Sequence, residues 1–284
     1  MRGFQYIPGS IGLECLLFPT HWFSCAIRSK NIHANAIAQV EIEHLGGRIL
    51  WAYDLSAPET LVSLDLLDNL AIEAGLRGLH FLSAVVSDDA PVYSVLRKGG
   101  YSPYGSLKIW RIKKDLELKN HPGVQWRRSQ TSDSLRIDFL RSRIISKRLM
   151  SITSPAEKKM PEYVLMLDGE FHGYAHIFSS ADKVMITPFI GADAPSAVPA
   201  LESLIGRYSL QKKDIYIEEY SSQAYIESVL MNCAEVIFPR QEILVKFFAI
   251  RSKVNTGNLN HVRANQHTDI ITPISESHPF KDNI

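Results

Sequence analysis

The stretch Arg48-Ile-Leu-Trp-Ala-Tyr-Asp54, running through Ser56-Ala-Pro58 into an apolar helix from Thr60 to Ala74, decides how this chain folds. Its apolar and aromatic residues suit a pleated strand. Leu61, Leu64, Leu67 and Ala71 then recur at the helical period, which predicts one buried face. A second strand follows over Leu79-His-Phe-Leu-Ser-Ala-Val-Val86, then a short helix from Pro91 to Lys98, Gly99-Gly-Tyr101, and a strand over Leu107 to Ile112. The same order returns in the second half. There a strand over Lys183-Val-Met-Ile-Thr-Pro-Phe-Ile190 leads to a helix from Pro195 to Tyr208, with Val198, Leu201, Leu204, Ile205 and Tyr208 on one stripe. A strand over Asp214 to Glu219, a helix around Ser222 to Asn232 and a strand over Glu242 to Phe248 complete it. Equivalent points lie roughly 135 residues apart, so the pattern is a duplicated domain and not a short solenoid repeat.

The composition narrows the function classes. The chain has 284 residues, enough for two ordinary domains. Its 31 basic and 30 acidic residues leave a net charge of +1, which supplies no field for capturing nucleic acid or an anionic membrane. Three cysteines, Cys15, Cys25 and Cys233, show no C-x-x-C spacing, which argues against a disulfide framework or a structural zinc site. No run approaches the ~20 apolar residues of a membrane span. The start, Met1-Arg-Gly-Phe-Gln-Tyr-Ile-Pro8, carries one charge and soon meets Pro8 and Gly9, unlike a signal peptide. A cytoplasmic location is the expectation. Sequence says nothing of the oligomeric state.

Strands are also expected over Leu13 to Pro19, Trp22 to Arg28 and Ala36 to Glu43, the last turning at Gly46-Gly47 into the Arg48 strand. The first unit spans residues 1–113, and the turn-rich, charged segment 114–122 is the linker. The second unit, 123–251, opens with a strand over Val124 to Arg128. Thr131-Ser-Asp133 then caps a helix with Leu135, Phe139 and Leu140 on one face. Val164 to Leu167 and Gly173 to Phe178 flank Asp168-Gly169 as a hairpin. Residues 252–284 lose the apolar runs and read as a polar, mobile extension. Arg136, Arg141, Arg143, Lys147, Arg148, Lys158 and Lys159 form either a solvated helix face or a patch for an anionic cofactor or acidic partner. The tail histidines His261, His267 and His278 lack the helical i, i+4 spacing of a metal pair, so no metal is expected.

Ala74-Gly-Leu-Arg-Gly-Leu-His-Phe-Leu82, Val92-Tyr-Ser-Val-Leu-Arg-Lys-Gly-Gly-Tyr101 and Leu107 to Ile112 together resemble the GNAT superfamily of N-acetyltransferases. In the second unit the strand Gln125-Trp-Arg-Arg128, Asp133 before a helix, and Tyr163-Val-Leu-Met-Leu167 before a turn carry the same likeness, which covers about residues 36–250. It is similar to tandem GNAT-like proteins in particular. The resemblance implies an α+β fold of two tandem GNAT-like units, each a mixed, mainly antiparallel twisted sheet flanked by helices. It also implies acetyl-CoA or another acyl-CoA as co-substrate, with an amine as acceptor. The pyrophosphate would sit on main-chain N–H groups at the start of the helix after the fourth strand, where glycines allow close approach.

That implication assigns cofactor contacts to Leu55, Ser56, Thr60 and Leu61 in the first unit and to Ile190, Gly191 and Ser196 in the second. The first loop, Ser56 to Ser63, has no glycine and carries Glu59; the second, Gly191 to Ser196, has one glycine and carries Asp193. The family's proton donor to the leaving thiolate is a tyrosine, but Leu96 and Leu230 stand in its place, with Tyr93 and Tyr225 nearby. Asp89 holds the family's asparagine position in the first unit. Asp54, at the end of the fourth strand, is the candidate general base; Glu41, Glu43, Glu218 and Glu219 are weaker strand carboxylates. The expected function is acyl transfer from acyl-CoA to an amine, in the unit that keeps Gly99-Gly-Tyr101. The alternative is a catalytically inactive binding or scaffold protein on the same fold.

Overall fold

The structure, a computed structural model, describes residues 22–28, 35–43, 45–54, 62–114, 119, 121–152, 162–191, 197–209 and 213–248. The expected strand over Leu13 to Pro19, and the tail with its histidines, lie outside these residues. The first half holds β1 (Trp22–Arg28), β2 (Asn35–Glu43), β3 (Gly46–Asp54), α1 (Leu64–Leu76), β4 (Phe81–Ser87), α2 (Pro91–Lys98) and β5 (Ser102–Ile112). The second half opens with β6 (Val124–Arg128), a single 3-10 turn (Thr131–Asp133), α3 (Ser134–Ile144), α4 (Lys147–Met150), β7 (Glu162–Leu167) and β8 (Glu170–Ser179). It continues with β9 (Lys183–Ile190), α5 (Ala197–Ser209), β10 (Asp214–Tyr220), a 3-10 turn (Ser221–Gln223), α6 (Ala224–Cys233) and β11 (Ala234–Phe247).

The eleven described strands join in one mixed sheet, in the order β1-β2-β3-β4-β11-β5-β10-β9-β8-β7-β6. The α+β class and the helix-flanked mixed sheet are those expected from sequence. The two halves meet by exchanging their last strands. β11 lies between β4 and β5 and pairs antiparallel with both, while β5 pairs antiparallel with β10. Each half therefore completes the hydrogen bonding of the other. β11 accommodates two partners with three register irregularities against β5, where bulges re-aim its side chains.

Strand alternation sorts the core into three clusters. On one face, Leu82, Ala84 and Val86 of β4 pack with Leu66, Leu67 and Leu70 of α1. On the same face of the second half, Ile186, Ile215 and Ile217 pack with Leu201, Leu204 and Ile205 of α5. On the opposite face, Phe81, Leu107, Tyr174, Phe189 and Ile243 lie under Ile137, Leu140 and Leu149 of α3 and α4. Full burial of each leucine contributes about 1.5–3 kcal/mol over leaving it exposed.

Three expected helix faces need correction. α1 begins at Leu64, where Ser63 Oγ accepts from Leu66 N at 3.2 Å, and it buries Leu66, Leu67, Leu70 and Ala74. Leu64 is exposed and Ala71 only half-buried, because the helix rotates to aim its densest apolar row at β4. In α5 the stripe holds except at Val198, which is exposed in the first turn. In α3 the buried residues are Ile137, Leu140 and Arg141, leaving Leu135 (81 % exposed) and Phe139 (64 %) outside. The final strand starts at Ala234, earlier than Glu242, and β5 starts at Ser102, earlier than Leu107. The Asp168-Gly169 hairpin forms as expected, both residues taking positive φ (49° and 87°), the twist that a two-residue turn needs. Among the described residues no helix is long and apolar enough to cross a membrane.

Candidate functional site

The parallel strand pairs are β3/β4 and β9/β10, and both come apart. Between β3 and β4 the ladder runs from Gly46↔Phe81 to Ile49↔Ala84 and stops. β3 continues from Leu50 to Asp54, and β4 from Val85 to Ser87, without pairing to one another. A β-bulge sits at the parting: β2 pairs Val40 with Ile49 and Gln39 with Trp51, so Leu50 is an extra residue in β3. Such a residue bends its strand and sharpens the twist. Trp51 Nε1 donates to Gln39 Oε1 at 2.8 Å, which anchors the bulged segment to β2. Among the described residues, no side chain bonds the main chain of Leu50 to Tyr53.

The second gap is built differently. β9 and β10 pair from Lys183↔Asp214 to Ile186↔Ile217, then separate over Thr187 to Ile190 and Glu218 to Tyr220. Here β8 pairs with β9 one residue to one, with no bulge in β9. Gln223 reaches back from the turn after β10 into the gap. It accepts from Ile190 N at 3.1 Å and donates through Nε2 to Pro188 O at 2.8 Å. The Tyr225 hydroxyl donates to Ile190 O. Thr187 Oγ1 also donates across the gap to Glu218 Oε2 at 3.2 Å.

The candidate residues fall as follows. Asp54 ends β3, is 3 % exposed, and shares the α1 face of the sheet with Ala52. Leu55, Ser56, Thr60, Leu61 and Ser196 lie outside the described residues. Ile190 is fully buried at the end of β9, and Gly191 donates its N–H to His172 O at 2.8 Å. Glu41 is engaged by Arg48, whose Nε donates to Oε2 at 3.1 Å. Leu96 and Leu230, standing where the family has its tyrosine, are both fully buried. Tyr93 packs half-buried against the first-half core, and Asp89 accepts from Ser87 Oγ at 2.5 Å, on its own strand end.

Gln223, which bonds Pro188 and Ile190 across this gap, is a side chain that sequence reasoning passed over. No local signal marks it, because its bonds reach across a gap between strands that only the tertiary structure defines. Glu219, by contrast, is buried and accepts from Trp110 Nε1 at 2.7 Å; burial is the main cause that raises its pKa, with Glu227 adding to it and Trp110 and Lys108 opposing. Of the cationic helix residues, Arg141 is buried near His176, whose pKa falls to about 4 through burial first and Arg141 second, so that imidazole is neutral at physiological pH. Arg136 and Arg143 line an open groove with Leu135, Phe139 and the turn Gly169 to His172. Among the described residues no group of three or more His, Cys, Asp or Glu is arranged to hold a metal ion.

No protein-family model matches the sequence, and no curated protein does. Solved structures do match in fold. A tandem GNAT protein from the clavulanic acid biosynthesis pathway aligns with 86 % of this chain and 90 % of its own, at 11 % identity and TM-score 0.53. A GCN5-related N-acetyltransferase from Sphaerobacter thermophilus aligns over 75 % and 76 %, at 14 % identity and TM-score 0.50. A functionally unknown conserved protein from Staphylococcus epidermidis ATCC 12228 aligns over 79 % and 95 %, at 9 % identity and TM-score 0.52. These likenesses show a GNAT-type fold, the fold implied by the resemblance drawn from Ala74 to Leu82 and Val92 to Tyr101.

Proposed function

We propose that this protein is an N-acyltransferase that moves an acyl group from acyl-CoA to an amine, and that its working cleft is the gap between β3 and β4. The observation that carries this reading is the bulge at Leu50, which frees the main chain of Leu50 to Tyr53 where two parallel strands part. The pantetheine arm of coenzyme A is an extended chain with two amides. Such a chain binds an open strand edge by main-chain hydrogen bonds, as an added strand would.

In the reaction, the acceptor nitrogen attacks the thioester carbonyl carbon. The C–S bond breaks and its electron pair leaves with sulfur, while the nitrogen loses a proton and the thiolate gains one. Asp54, the carboxylate ending the parted segment, takes the nitrogen's proton in this proposal. The thiolate's proton comes from solvent, since Leu96 has nothing to donate.

A second reading has its own support. Two fully buried leucines in the acid position, Leu96 and Leu230, favour a protein that binds on the GNAT fold without catalysis. Thermal shift with coenzyme A, followed by an acetyl-transfer assay over an amine panel, separates the two. Ligand at 100 times its Kd adds about 2.7 kcal/mol, or about 5–10 °C in Tm for a chain of this size. A shift with turnover supports the enzyme; a shift without turnover supports the binding protein. No shift at millimolar coenzyme A removes both forms of cofactor binding.

A further inference from the structure

Every gap-facing main-chain N–H and C=O of β9 beyond Ile186 is hydrogen-bonded within the chain. Successive residues of a strand send their N–H and C=O to opposite sides, so Pro188 and Ile190 face the gap together. Pro188 has no N–H, which leaves three gap-facing groups: Pro188 O, Ile190 N and Ile190 O. Each has a partner from the chain itself, in Gln223 Nε2, Gln223 Oε1 and Tyr225 Oη respectively.

The geometry of the Gln223 pair is that of a missing strand. In a parallel ladder, one residue donates its N–H to a carbonyl and accepts from the N–H two residues further along the partner. Gln223 does this with a side-chain amide, bonding Pro188 O at 2.8 Å and Ile190 N at 3.1 Å. A secondary amide of an extended ligand would make the same two bonds. Gln223 is itself fully buried, so no room is left beside it for a second amide at those atoms. Its own backbone lies in the 3-10 turn directly after β10, so the fold delivers the plug without a long loop.

We infer that the second gap is a self-occupied ligand site, in which the Gln223 amide holds the place of a ligand amide and excludes an acyl-CoA arm. The protein then offers one open cleft, not two. The count of one rests on the reading of the β3/β4 gap above; the plug does not.

Two measurements on the full chain test this. Residue-resolved amide hydrogen exchange should show Ile190 N–H protected in the native protein to the degree of the strand-paired Ile186. In Gln223→Met, which keeps the volume and loses both bonds, Ile190 should exchange about tenfold faster while Ile186 is unchanged. Gln223→Ala serves if the methionine variant does not fold. An unprotected native Ile190, or unchanged exchange in the variant, overturns the plug. Calorimetric titration with coenzyme A should give one equivalent in the native protein, and two equivalents would overturn the exclusion. Zero equivalents would instead contradict the β3/β4 reading, and the exchange data would still decide the plug.

Discussion

Trp110 on β5 donates its indole N–H to the carboxylate of Glu219 on β10 at 2.7 Å, a buried hydrogen bond that ties the first half of the chain to the second. Glu219 is 2 % exposed. Burial raises its pKa above the ordinary glutamate value of 4.5, so the folded state holds this proton more tightly than the unfolded state does. A group raised in this way disfavours folding progressively as pH climbs from about 4.5 through its folded value. Glu219→Gln keeps an acceptor for Trp110 and removes the charge. Its Tm should therefore exceed that of the native protein at pH 8 and lose this advantage near pH 4. An effect of order 1 kcal/mol would appear as about 2–4 °C. Equal Tm differences at both pH values would show that the Glu219 charge is not what matters.

Asp133 behaves in the opposite sense. Arg127 donates to both its oxygens, at 2.7 and 2.8 Å, and Gln130 N donates at 2.8 Å. The Arg127 hydrogen bonds are the main cause holding its pKa below 3.8. Stability from a depressed carboxyl is present above the unfolded pKa and lost as pH falls through the folded one. Asp133→Asn should cost about 2–3 kcal/mol at pH 7 and progressively less as pH falls below about 4. Denaturant titration at both pH values measures this. A pH-independent cost would mean that geometry alone, not charge, carries the contact.

The strand exchange makes a prediction about dissection. A fragment of residues 1–113 would leave β4 and β5 without β11 between them, each with an unpaired edge. We expect it to be insoluble or unfolded alone, and to gain native-like exchange protection when co-expressed with residues 114–284. A soluble, cooperatively folding 1–113 fragment would show that the halves are separable domains.

Asp54 separates function from support. Asp54→Ala should abolish most acetyl transfer while coenzyme A still shifts Tm. If turnover survives, Asp54 is not the base; if Tm collapses with or without ligand, its role is to hold the chain after β3.

Much of this fold was legible in the residues. The bounds Trp22–Arg28, Val124–Arg128, Lys183–Ile190 and Pro91–Lys98 coincide with the observed elements, because apolar alternation, Pro91 at a helix start and Gly99-Gly100 after its end are local signals. The face of α1 was not, since the sequence offers two overlapping apolar rows and only the docking against β4 selects Leu66, Leu67, Leu70 and Ala74. Nor was the exchange of β5 and β11, a pairing between distant segments that no local period encodes. The parting at Leu50 depends on a one-residue register slip against β2, and the plug on an amide reaching across a gap. Both belong to tertiary structure. What the residues made readable is a strand ending at Asp54, but neither the parting of β3 from β4 nor the Gln223 bridge to β9.

The proposed role of the Leu50 bulge is to open a cleft for an acyl-CoA arm. Its most direct test is a crystal structure with coenzyme A. The pantetheine chain should be bonded to the main chain between Leu50 and Asp54, with Gln223 still bridging Pro188 and Ile190. Coenzyme A lying between β9 and β10, or found away from both gaps, would contradict it.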